Sequence, residues 1–183
     1  MLESAVLAAV VAALVSVLVA TRNNYMQAVT AERSKWIDKL RENISTFSGK
    51  TRTFSYKIVH RITPFNSPEY VDAIDEINKL IALIKLQLNP KGEVDGNLIR
   101  LLDKIPSLAD NPSDLGAKLR RADNLLIQHA QWLLKDEWEK VKRETNLFGP
   151  LFARARETDR QVAYKSFCKR TGIEEFLGEE IRQ

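Results

Sequence analysis

The chain has 183 residues, of which 44% are hydrophobic and 28% charged, and this composition excludes both a disordered chain and a polytopic membrane protein. Its single cysteine, Cys168, excludes an intrachain disulfide and a multi-cysteine zinc site, and its two histidines leave little for metal or general-base chemistry. We therefore expect one domain with or without an anchor, no cofactor and no enzymatic activity.

Residues 1–21 are predicted to form a transmembrane anchor. The stretch from Ala5 to Ala20 has no charged residue, and Ser16 is its only polar one. A helix rises 1.5 Å per residue, so about 20 apolar residues span the roughly 30 Å hydrocarbon core of a bilayer. A cleaved signal peptide and a buried core helix are the alternatives. The signal peptide is disfavoured because Glu3 stands where a basic region is expected, and because cleavage after Ala20 would place Leu18 where a small residue is needed. The core helix is disfavoured because the stretch lacks a polar stripe.

The charge that follows the anchor predicts the topology. Residues 22–61 contain nine Lys or Arg and three acidic residues, a net charge of +6. Lys and Arg beside a membrane span tend to remain in the cytoplasm. We therefore expect the amino terminus outside and the bulk of the chain in the cytoplasm.

Small residues recur at every fourth position of the anchor, and they are Ser4, Ala8, Ala12, Ser16 and Ala20. Such a stripe lets the backbones of two membrane helices approach closely. It predicts a homo-oligomer, although an alanine-rich anchor can also show this spacing by chance.

Residues 22–63 are predicted to form a basic, helical juxtamembrane stalk. Its apolar residues fall at steps of three and four: Met26, Val29, Trp36, Ile37, Leu40, Ile44 and Phe47. This face could pack on its own domain or pair with a second subunit, and Gly49 is the expected end of the helix. Residues 51–62 fit both strand and helix spacing, and helix is favoured because no partner strand is evident.

Residues 64–146 are predicted to form a helical bundle. Ser67-Pro68-Glu69 is typical of a helix start, and the sequence 89–92 of an end. The apolar stripe of this helix comprises Tyr70, Val71, Ile74, Ile77, Ile81, Ile84 and Leu88.

Further helices are expected in the rest of the chain. A short helix near 97–104 should close at Pro106, and a long one should run from the start signal at 112–114 to about Asn146. The buried face of the long helix is expected to include Leu115, Leu119, Ala122, Leu126, Ala130, Leu133, Trp138 and Val141. Gly149-Pro150 should break it. The tail, 147–183, should hold one helix near 151–169 and a short one after Gly172, which makes the fold all-α.

One basic segment could hold an anion. Its candidate contacts are Lys50, Arg52, Lys57 and Arg61, which alternate with Phe54 and Tyr56. Anionic lipid attracts such segments, and this interpretation is favoured. A nucleotide or nucleic acid is the alternative, with phosphates on the cations and bases on the rings.

Three further features have structural interpretations. The charged residues between 135 and 143 are typical of a solvated helix face with internal ion pairs. His129 should lie at the edge of a buried stripe. Cys168 is not expected to be a nucleophile, because no histidine is near it in sequence.

Three segments together resemble a known group of proteins. They are Glu32-Arg33-x-Lys35-Trp36-Ile37-x-x-Leu40-Arg41, Leu86-x-Leu88-Asn89-Pro90, and Leu134-Lys135-x-Glu137-Trp138-Glu139-x-Val141-Lys142-Arg143-Glu144. They resemble small, uncharacterised bacterial and phage-encoded proteins with one amino-terminal membrane helix and a cytoplasmic helical region. The resemblance covers about residues 5–145 and implies a bacterial inner-membrane location, but no catalytic residues.

The sequence therefore predicts a non-enzymatic, single-pass membrane protein. It would self-associate through its anchor and juxtamembrane helix and present a cytoplasmic domain to a protein partner. A membrane effector of bacterial antiviral defence is one specialisation of this role. A membrane-tethered sensor that binds a nucleotide or nucleic acid through residues 50–61 is the alternative.

Overall fold

A computed structural model describes residues 2–64, 67–108, 115–145 and 153–178, and within these ranges the chain is helical with no strand. The helices are α1 (Leu2–Val59), α2 (Pro68–Gln87), α3 (Glu93–Ser107), α4 (Leu115–Thr145), α5 (Ala153–Thr171) and α6 (Ile173–Gly178). The all-α prediction is confirmed. The signals at 112–114 and at Gly149-Pro150 lie outside the described residues.

α1 is a single helix of 58 residues that contains both the apolar amino-terminal stretch and the predicted stalk. The prediction that Gly49 ends this helix is wrong. Gly49 is exposed, and a Cβ added there would meet nothing within 4 Å, so a helical backbone is unobstructed. Burial of Phe47 and Thr51 on either side fixes the helix through the glycine.

The ambiguity over residues 51–62 is resolved in favour of helix as far as Val59. The chain then leaves α1 through Arg61, a non-glycine residue with a φ of 54°. The Ile62 amide donates to the Lys57 carbonyl at 2.8 Å, and the Arg61 amide donates to the Ile58 carbonyl at 3.0 Å. These two bonds form a Schellman motif, which satisfies carbonyl groups at the end of the helix.

α2 begins at Pro68, as the sequence predicts. The Ser67 hydroxyl accepts a hydrogen bond from the Tyr70 amide at 3.2 Å, and Pro68 opens the helix. α3 is longer than expected at both ends, and Pro106 lies within its last turn rather than closing it.

α2 and α4 both run antiparallel to α1. Arg33 of α1 lies beside Glu137 of α4, whereas Arg52, further along α1, lies beside Asp123. On α2, Glu76 pairs with Lys50, and the carbonyl of Gln87 accepts from Trp36. The part of α1 around Arg33 and Trp36 therefore lies beside the carboxyl-terminal ends of α2 and α4.

A shared apolar core joins the helices from residue 37 onward. Its fully buried members include Leu40, Phe47, Ile84, Leu98, Leu101, Leu102, Leu126, Ile173 and Phe176. The apolar face of α1 that contains Leu40, Ile44 and Phe47 thus packs on its own domain. Two residues of the predicted core are exposed instead: 48% of the surface of Val71 and 46% of that of Trp138 is accessible to solvent.

Candidate functional site

The largest uncovered apolar surface is the amino-terminal part of α1. Nine Val and Leu side chains there are half or more exposed: Val6, Leu7, Val10, Val11, Leu14, Val15, Val17, Leu18 and Val19. Among the described residues this is the one helix long and apolar enough to cross a membrane, and none of its apolar window is buried. No other described part of the chain shields these residues from water.

The small residues of the predicted packing stripe lie on this uncovered helix. Ala8, Ala12, Ser16 and Ala20 are exposed along α1, and the Ser16 hydroxyl donates to the Ala12 carbonyl at 2.8 Å. This bond satisfies the hydroxyl within its own helix, so the stripe presents no free polar group at Ser16. The Ser4 side chain lies outside the described residues.

The four predicted anion contacts do not converge on one point. Lys50 donates to Glu76 at 2.5 Å, and this bond holds the pKa of the Glu76 carboxyl below its usual value. Arg52 binds Asp123, while Lys57 and Arg61 are exposed. Two of the four cations are therefore already paired within the chain.

A cleft, which we call the basic cleft, lies between α1 and α4. The basic cleft encloses about 440 Å³. Its described lining includes Arg52, Tyr56, His60, Arg120 and Asn124, with no carboxylate among the lining side chains. Arg120 and Asn124, both on α4, were not part of the predicted anion site. Arg120 is 68 positions after Arg52 in the chain, so nothing in the local sequence indicates that the two lie together.

A second cavity encloses about 900 Å³, roughly twice the volume of the basic cleft. We call this cavity the large groove. It lies between α1, the α2–α3 connection, α4 and α5, and its aromatic walls are Trp36, Trp132 and Tyr164. Cavities of this size with aromatic walls are typical of small-molecule sites.

Ion pairs cross the large groove and join three helices. Asp136 of α4 binds Arg160 of α5 and Lys140 of its own helix, and Glu137 pairs with Lys140 and with Arg33 of α1. Asp136 is buried, so the prediction of a fully solvated charged face over 135–143 is wrong for this residue. No local sequence pattern indicates this burial, because Asp136 and Arg160 are on different helices.

A buried polar cluster lies behind the groove. The His129 side chain is 0% exposed, with Nδ1 3.0 Å from the Tyr164 hydroxyl and Nε2 3.3 Å from the Thr171 hydroxyl. The Asn97 amide also donates to the Tyr164 hydroxyl, at 2.9 Å. Burial lowers the pKa of His129 to about 4, so the imidazole is neutral at pH 7. His129 is thus more deeply buried than the predicted stripe edge.

Cys168 belongs to the same cluster. The Asn97 amide lies 3.7 Å from its sulfur, and burial raises the pKa of the thiol. A buried, protonated thiol is a poor nucleophile. Among the described residues, no three His, Cys, Asp or Glu side chains are grouped so that they could hold a metal ion.

Comparisons with known proteins gave no match to a family model, to a curated protein or to a solved structure. The resemblance to bacterial and phage-encoded membrane proteins therefore stays a prediction.

Proposed function

We propose that the chain is a single-pass membrane protein whose apolar amino-terminal helix lies in the lipid bilayer and holds the helical domain at the membrane. The observation that supports this most directly is the uncovered row of nine Val and Leu residues on α1. Each such residue favours membrane insertion by about 0.3–0.6 kcal/mol, so together they contribute about 3–5 kcal/mol. If α1 stayed in water, the same side chains would remain exposed to solvent and this gain of about 3–5 kcal/mol would be lost.

The continuity of α1 supports an anchor rather than a removable leader. The helix passes from the apolar stretch into the domain without a break, and its later residues supply part of the core. Arg22, at the cytoplasmic end of the apolar stretch, fits an orientation with the domain inside the cell.

We propose further that copies of the chain associate through the small-residue stripe of the anchor. The juxtamembrane face from Ile37 onward packs against α2 and α4, so it is not free to pair with another subunit. Subunit contacts are therefore assigned to the anchor, where Ala8 and Ala12 allow close approach of two backbones.

The test is the size of the full-length protein in mild detergent. The double substitution Ala8→Leu and Ala12→Leu adds bulk to the stripe and should convert the oligomer to a monomer. Each residue turns a helix by about 100°, so Val10 and Val17 lie on the opposite face from Ala8. The matched control, Val10→Phe with Val17→Phe, should leave the oligomer intact. A wild-type monomer, or equal effects of both pairs, would refute association through the stripe.

The absence of an enzymatic activity and the role in antiviral defence both stay predictions. Neither follows from the packing of the described residues.

A further inference from the structure

We propose that the basic cleft binds a small phosphate-bearing molecule with an aromatic base, that is, a nucleotide. The guanidinium groups of Arg52 and Arg120 would hold the phosphate, and the ring of Tyr56 would stack on the base. This site differs from the one that the sequence predicts, because Arg52 is the only one of the four predicted cations that lines the cleft, and Arg120 of α4 replaces the other three.

Arg52 is held in a fixed orientation by a buried acid. Its Nε and Nη2 atoms both bind Asp123 Oδ2 at 2.5 Å. The Asp123 side chain is 2% exposed, whereas that of Arg52 is 58% exposed. The remaining guanidinium N–H groups of Arg52 are therefore presented to the cleft on a preorganised side chain, which favours binding of a planar or tetrahedral anion.

Arg120 supplies a second cation to the cleft, because Asp123 pairs with Arg52 and not with Arg120. It is exposed on α4 and lines the cleft together with Asn124, one turn further along the helix. No carboxylate is among the described residues that line the cleft, so the local charge favours an anion. Arg120 is the more informative residue to change, because Asp123 would be left unpaired by loss of Arg52.

The aromatic part of the cleft fits a base. Tyr56 is 59% exposed, and its ring lies 4.3 Å from that of His60 with the planes tilted by 47°. One face of Tyr56 therefore has a protein neighbour, and the exposed remainder of the ring is available for stacking. Stacking on an aromatic side chain tolerates any base, so the structure does not select among bases.

The size and position of the cleft favour a small molecule over lipid. Its volume of about 440 Å³ is in the usual range for small-molecule sites. Arg52 is 32 residues beyond Ala20 on the continuous helix α1, which corresponds to about 48 Å along the axis. A lipid headgroup at the membrane surface cannot reach that position if α1 stands across the bilayer.

The experiment is a calorimetric titration of the full-length protein in neutral detergent with AMP, inorganic phosphate and adenosine. AMP should bind more tightly than either part alone, and its affinity should fall as salt is raised. Arg120→Gln should weaken AMP binding by about tenfold, which corresponds to the loss of one charge-assisted hydrogen bond. Tyr56→Leu should reduce the affinity for AMP but not that for phosphate.

Lys57→Gln is the matched control, because Lys57 is an exposed cation on α1 that does not line the cleft. It should change AMP affinity by less than about twofold. Absence of AMP binding at low salt, equal binding of phosphate and AMP, or equal effects of Lys57→Gln and Arg120→Gln would each overturn the proposal. Binding of anionic vesicles that AMP competes away would also overturn it, because the ligand would then be lipid.

Discussion

Acid should destabilise the domain through His129. The imidazole is buried, and its pKa falls to about 4 from an ordinary value of 6.5. Between pH 4 and 6.5 the folded state therefore binds fewer protons than the unfolded state. The stability that the neutral His129 contributes is fully present above pH 6.5 and is lost as the pH falls towards 4. With these two values, lowering the pH from 7.5 to 5.0 costs about 2 kcal/mol at this site.

The assay is urea unfolding of the full-length protein in detergent at both pH values, followed by tryptophan fluorescence. Trp132 stacks on Phe167 with ring centroids 4.9 Å apart, so its emission should report unfolding of this region. His129→Gln removes the titrating group, and its loss of stability between the two pH values should be about 2 kcal/mol smaller than that of the wild type.

His60→Gln is the control, because His60 is exposed near the end of α1. This variant should show the same pH dependence as the wild type. If His129→Gln loses as much stability on acidification as the wild type, the reasoning is refuted.

Other predictions concern stability measured by the same unfolding assay. Gly49→Ala should raise the free energy of unfolding by about 0.5–1 kcal/mol, because the helix is continuous there and the methyl group meets no neighbour; a decrease would contradict a helical Gly49. Ser67→Ala should lower it by about 1 kcal/mol through loss of the cap on α2, and no change would show that the cap is dispensable. Phe47→Ala should cost about 3–5 kcal/mol, whereas Leu86→Ala, at an 84% exposed position, should stay within about 0.5 kcal/mol; similar losses would contradict the assigned core.

Local features of the fold could be predicted from the sequence because they depend on near neighbours. Ser67 and Pro68 mark the start of α2 through a cap that involves residues three positions apart. The spacing of Leu40, Ile44 and Phe47 predicts the buried face of α1 for the same reason. The prediction that α1 ends at Gly49 is wrong because glycine is less favourable than alanine in a helix by only about 1 kcal/mol, which packing of the residues on either side outweighs.

The candidate sites could be predicted only in part, because they depend on contacts between distant residues. Arg52 and Asp123 are 71 positions apart, and nothing in either local sequence indicates that they pair. Asp136 stands in a charged run that is typical of a solvated surface, yet Arg160 of α5 covers it. Arg120 is likewise assigned to the basic cleft only when α4 is placed against α1.

The central claim, that the amino-terminal part of α1 lies in lipid, is tested most directly by labelling single cysteines in membrane vesicles with a water-soluble maleimide. Cys168 is buried, so the wild type gives the background. Leu14→Cys should remain unlabelled until the membrane is dissolved and the protein denatured, whereas Tyr25→Cys should be labelled at once in vesicles open to both sides. Equal labelling of the two positions in intact membranes, or a mature chain that lacks residue 14, would contradict the account.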